Sequence, residues 1–206
     1  MTVKTVMDLA YRLTGRMALP RELETLRGRC LLHVSDTPST FYGDLQRLLL
    51  FLCPLALIHT GDVADDVKLE LRPREIGLYS RKAADLLGRL GTFPEGLYIT
   101  GGNHDDTETL RRLAPEATVF DGAAVVTVCG LTLAMAHYFR DLPRPPRPYN
   151  LYGHSPSPPA PRREGAVFLN GLDAVNVIAA DDGTVHFLPY PAYVNGNRCR
   201  KRKIGL

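Results

Sequence analysis

The chain has no tryptophan and only four cysteines in 206 residues. Cys30, Cys53, Cys129 and Cys199 show no Cys-x-x-Cys pair or other zinc-type spacing, which argues against a thiolate metal site and a disulfide-stapled scaffold. Three of them lie in apolar surroundings and read as reduced packing residues. Long apolar runs are also missing. The longest covers residues 48–58 and is broken by Pro54, far short of the ~20 residues that cross a bilayer. The N-terminus shows no apolar stretch with a small-residue cleavage site, so no secretory signal and a cytoplasmic location are expected. A dominant charge is absent as well: 25 Lys and Arg against 22 Asp and Glu leave +3, too little for a nucleic-acid footprint over the whole chain.

What is present suits a soluble globular protein. The hydrophobic fraction is 45% and the charged fraction 23%, both ordinary values, and the length fits one domain better than two. Eight of the 16 prolines fall in residues 143–161 and mark loops rather than a general bias. Arg198, Arg200, Lys201, Arg202 and Lys203 crowd near the C-terminus. A solvated terminus is the ordinary reading of such a run, and a contact for nucleic acid or another anionic surface the sharper one.

Apolar residues at Val3, Val6, Met7 and Ala10 predict an amphipathic helix over residues 3–15, and Pro20 opens a second short helix ending near Gly28. From Cys30 onward, short apolar runs alternate with helical patterns. Strands are expected at 30–35, 55–60 and 96–100, and helices at 42–53, 74–90 and 106–113. Strands then take over, at 124–128, 131–136, 150–152, 166–169, 174–179 and 184–188. Cys129-Gly130 and Asp181-Asp182-Gly183 supply hairpin turns. An α/β half followed by a β-meander half predicts a layered α/β domain with two sheets.

Chemistry is expected where polar residues end the apolar strands, since open α/β sheets bind ligands at that edge. The breaks are Ser35-Asp36-Thr37, Gly61-Asp62, Gly102-Asn103-His104-Asp105, His137 and Gly153-His154. Carboxylate, amide oxygen and imidazole together suit a divalent transition metal (Mn, Fe, Zn, Co or Ni). His33 and His59 each precede an aspartate by three residues. That odd spacing turns them to the other face of a strand, so both are expected to pack rather than bind. His186 reads as structural too.

The order of these breaks resembles the metallophosphoesterase (calcineurin-like) superfamily, notably its small bacterial and archaeal members, whose pattern runs DxH, GD, GNH(D/E), a lone His, then GHxH. The resemblance covers about residues 30–190. It implies an α/β fold in which a two-sheet β-sandwich is flanked by helices. Residues 1–29 would then be a helical extension and 191–206 a basic tail. It also implies a hydrolase, a phosphatase or phosphodiesterase, acting on a phosphate-ester substrate. One metal site would use Asp62, Asn103, His137 and His154. The other would use Asp36 and the bridging Asp62, but Pro38 and Pro156 stand where the family has histidines. Proline carries no donor atom, so this site is degenerate and one ion per chain is expected. His104 would be the general acid, with Asp105 orienting its ring; the plainer alternative is a histidine that caps the next helix. Tyr138 takes the place of a small residue beside the site. A non-catalytic scaffold or binding module on the same fold is the competing reading, favoured by the two prolines and by Tyr138.

Overall fold

The computed structural model describes residues 15–154, 162–163 and 165–198. Among these residues eleven strands form two sheets. They are β1 (Cys30–Val34), β2 (Ala56–His59), β3 (Leu97–Thr100), β4 (Thr118–Phe120), β5 (Ala124–Val128), β6 (Leu131–Ala136), β7 (Tyr149–Tyr152), β8 (Arg162–Arg163), β9 (Ala166–Asn170), β10 (Ala174–Ala179) and β11 (Val185–Pro189). One sheet has the order β11-β10-β1-β2-β3-β4 and the other β5-β6-β7-β9-β8. β1 to β4 run parallel, as do β6, β7 and β9. Four α-helices accompany them: α1 (Tyr42–Leu52), α2 (Ile76–Leu90), α3 (Thr107–Leu113) and α4 (Ala192–Asn197).

Burial explains why the strands of the first sheet read as continuous apolar runs. Both faces of that sheet are covered, so alternation is lost. Cys30, Leu32 and Val34 pack on the helical side, while Leu31, Ala56 and Ile58 face the second sheet. In α1, Leu45, Leu48, Leu49 and Leu52 form the buried stripe at helical spacing. On β6 the two-residue period is plain: Leu133 and Met135 enter the space between the sheets, Ala134 and Ala136 the outer face.

The expected strands and helices from residue 30 to 189 are all found within two residues of their expected ends. β4, β8 and α4 were not anticipated. Each is too short, two to six residues, to show a period. The segment expected as a helix from Pro20 is a 3-10 turn, Arg21–Leu26. The helix over 3–15 lies outside the described residues apart from Gly15, as do Pro156 and residues 199–206.

Met17 and Leu23 on one side, and Val194 of α4 on the other, belong to the same hydrophobic cluster as β1 and α1. Asp44 of α1 joins these outlying pieces. Its Oδ2 accepts from the Met17 amide at 3.0 Å and from the Tyr193 hydroxyl at 2.7 Å.

Candidate metal centre

The loops that follow β1, β2, β3, β6 and β7 converge at the carboxyl ends of their strands, where the expected site residues lie. One donor atom from each of Asp36, Asp62, His137 and His154 falls within 4.8 Å of the others. Asn103 joins them: its Oδ1 is 3.1 Å from His137 Nε2, while its amide donates to Glu70 Oε2 at 2.6 Å. Glu70 therefore turns the oxygen of Asn103 toward the cluster. The spacing of the sequence gives no hint of this partner, 33 residues away.

Three of these residues have left-handed backbones: Asp36 (φ 50°), Asp62 (φ 56°) and His154 (φ 29°). Non-glycine residues avoid that region, and where they are held in it the strain tends to sit at functional sites. The neighbouring glycines have a different task. A Cβ on Gly102 would collide with the Asp62 carboxylate, and one on Gly153 with the Ser35 hydroxyl. Both positions let loops from different strands touch.

Hydrogen bonds fix which atoms face inward. Ser35 Oγ donates to Asp36 Oδ2 at 2.6 Å, and the His154 amide donates to the same oxygen at 3.1 Å. The His104 amide donates to Asp62 Oδ1 at 3.0 Å. Asp62 Oδ2, fully buried, has no hydrogen-bond partner among the described residues, and lies 3.6 Å from both His137 Nε2 and His154 Nδ1. His137 Nδ1 is 2.7 Å from the Thr60 carbonyl. A carbonyl only accepts, so Nδ1 carries the hydrogen and Nε2 is left for a metal, a common arrangement for ligating histidines. The inward atoms are thus an orphaned carboxylate oxygen, an amide oxygen and ring nitrogens. Such a set fits a divalent transition ion.

The electrostatics agree. Burial pushes the Asp36 and Asp62 carboxyls up, but the nearby imidazole of His154, and then that of His137, outweigh it, and both lie below the usual carboxylate range. In return the two carboxylates push His154 up to about 10. Burial holds His104 below its ordinary value.

Asp105 is not where the sequence placed it. Its carboxylate accepts from the amides of Asp62 (2.6 Å), Val63 (2.9 Å) and Gly102 (2.9 Å) and from the Tyr79 hydroxyl (2.9 Å). These bonds tie two metal-site loops together and leave the ring of His104 to other partners. The acid beside His104 is Asp65, which clusters with His104 and Asp62 and pairs with Lys68. Burial, then the charges of Asp36 and Asp62, push its carboxyl up to about 8. Nothing but its place three residues after Asp62 could have marked it. His104 does not cap α3 either; Asp106 Oδ2 does, accepting from the Thr109 amide.

The expectations for His33 and His59 hold. His33 bonds Thr60 and Asn176, and His59 bonds Thr37 and the Gly61 amide. Burial pushes them down to about 3 and 4. Tyr138 does stand beside the site, its ring centroid 4.7 Å from His137 and 5.1 Å from His154, with the Arg140 guanidinium 4.6 Å over its face. Pro38 is buried at the mouth of the first helical turn, with φ −72°.

Arg198 requires a correction. The sequence groups it with a basic terminus open to solvent or to phosphate, yet it is 1% exposed. Its guanidinium is occupied by the carbonyls of Ser35, Asp36 and Leu172.

Two facing mixed sheets, helices packed outside, and acid and imidazole groups at the joined carboxyl edges give the metallophosphoesterase fold. Two solved structures share it. A novel archaeal phosphodiesterase aligns with 78% of this chain and 99% of its own, with TM-score 0.56 and 13% identity. YfcE, a phosphoesterase from E. coli, aligns with 79% of this chain and 99% of its own, with TM-score 0.50 and 17% identity. At such identities the likeness is one of fold. No family model and no curated protein matches the chain. No helix among the described residues is long and apolar enough to cross a membrane.

Proposed function

We propose that the chain is a metal-dependent phosphoesterase that cleaves a phosphate mono- or diester with a single divalent ion. Asp62, Asn103, His137 and His154 would hold the ion, and Asp36 closes the same cluster. The observation that carries this reading is the orphaned, fully buried Asp62 Oδ2 facing two imidazoles. A buried carboxylate oxygen without a partner is costly, and a cation there removes the cost. When bound, the ion would polarise a phosphoryl oxygen and acidify a water.

The chain's own groups supply the rest. A ring nitrogen of His104 lies within 4.8 Å of carboxylate oxygens of Asp62 and Asp65, so in its protonated form the ring could pass a proton to a leaving alkoxide. Asp65 beside it takes the orienting part that the sequence gave to Asp105. Pro38 brings no donor, which favours one ion over two.

Elemental analysis of the purified protein, paired with a panel of phosphate esters, tests the reading. About one ion per chain is expected, lost on His154→Ala or Asp62→Asn together with hydrolysis. His104→Ala should slow alkyl esters far more than nitrophenyl esters, whose leaving groups need no proton. Two tightly held ions would contradict the single site. Absence of both metal and hydrolysis would favour the second reading, a scaffold, for which the rings of Tyr138 and the donorless Pro38 at the site are the specific observations.

A further inference from the structure

Arg198 is a cation with 1% exposure and, among the described residues, no carboxylate hydrogen-bond partner. Nε donates to the Asp36 carbonyl at 2.7 Å, Nη2 to the Ser35 carbonyl at 3.1 Å, and Nη1 to the Leu172 carbonyl at 2.6 Å and to Asn195 Oδ1 at 3.3 Å. The guanidinium lies over the Tyr190 ring, 4.2 Å from its centroid. Burying an ion whose hydrogen bonds go to neutral oxygens is expensive. Such a residue calls for an explanation beyond surface charge.

The geometry points to a role for Arg198 as a positioning residue for the metal-site carboxylate Asp36. In an extended strand, successive carbonyls point to opposite sides. The left-handed turn at Asp36, φ 50°, turns its carbonyl so that one guanidinium can hold it together with that of Ser35. A planar fork of donors suits that paired grip, and a lysine does not. The same turn aims the Asp36 side chain at His154, with Oδ1 3.4 Å from Nδ1. Through Nη1 the grip extends to the turn at Leu172. That turn is anchored on β7, where the Gly171 amide donates to the Tyr152 carbonyl two residues before His154. One side chain at the end of α4 thus fixes the placement of two loops of the proposed site.

This inference rests on the proposed metal site, so the test carries a readout for each. Full-length parent, Arg198→Ala, Arg198→Lys and Ile178→Val are compared by Mn2+ titration, thermal melting and amide hydrogen exchange. Ile178 is buried on β10 opposite Leu31, at the end of β1 away from Asp36. Arg198→Ala is expected to weaken Mn2+ binding roughly tenfold or more, the usual cost of losing a group that orients a ligand. Added methylguanidinium should restore part of the affinity, and Arg198→Lys should fall between. Ile178→Val should lower the melting temperature without changing Mn2+ affinity. Independently of metal, exchange at the Asp36 and Thr37 amides, bonded to the Gly61 and Asp62 carbonyls, should speed up in both Arg198 variants while β1 stays protected. Should Arg198→Ala fail to fold, Arg198→Lys carries the exchange test. Unchanged exchange at Asp36 and Thr37 overturns the inference, whatever the metal result. A parent that binds no Mn2+, with exchange accelerated as expected, overturns the metal site and leaves the positioning role intact.

Discussion

If His154 ligates the proposed ion, a proton and the metal compete for the same ring nitrogen. That ring is pushed up to about 10 by the Asp36 and then the Asp62 carboxylate beside it, well above the ~6.5 of a free imidazole. Two consequences follow from the sign. The folded state binds this proton more tightly than the unfolded chain. Its contribution to stability is therefore complete below about 6.5 and lost as pH rises through about 10. A metal, by contrast, must displace the proton, so affinity should rise with pH across the neutral range. Calorimetric titration of Mn2+ near pH 7.5, repeated in buffers of different ionisation enthalpy, should show close to one proton released per ion. In His154→Gln that release should vanish. Binding with no proton release in the parent would remove His154 from the ligand set.

At the scale of loops and elements, the decisive contact is the carboxylate of Asp105, which gathers donors from two strand ends and from α2. Asp105→Ala leaves three backbone amides and a tyrosine hydroxyl without their acceptor. A loss of about 3–5 kcal/mol is expected, since each stranded donor costs roughly 1–3 and some will find water. Tyr79→Phe removes one donor along with its hydroxyl and should cost about 1 kcal/mol. Urea denaturation of the metal-free proteins measures both; equal losses would show that Asp105 acts mainly through Tyr79. This contact also marks how far the sequence could be read. Strand ends, the polar residues that close them and the packed His33 and His59 follow from apolar runs and parity, which are local properties. The partner of a carboxylate is decided by which loops touch, and for Asp105 these are residues up to 43 positions away. Asp65 and Glu70 were missed for that reason, and Arg198 was hidden because a run of charges says nothing about which member is buried.

For the molecule as a whole, the question is how the pieces outside the sandwich bear on the site. Asp44, 6% exposed on α1, holds the Met17 amide and the Tyr193 hydroxyl on one oxygen and pairs Arg47 on the other. Tyr193 belongs to α4, the helix that delivers Arg198 to the Asp36 loop. Asp44→Ala strands one buried and one half-buried donor and should cost about 2–4 kcal/mol. In a domain of this size that is a fall of roughly 5–15 °C in melting temperature. If α4 is held chiefly through this junction, the variant should also bind Mn2+ several-fold more weakly and show faster exchange at Asp36 and Thr37. Arg47→Ala separates the two effects. The Arg47 side chain is 27% exposed and its removal leaves the Met17 amide and the Tyr193 hydroxyl satisfied, so melting should drop by a few degrees at most and Mn2+ affinity should hold. A less stable Asp44→Ala with parental affinity and parental exchange would mean that α4 is seated by Val194 and Arg198 themselves. The link from the residue-17 segment to the metal-site edge would then be one of stability alone.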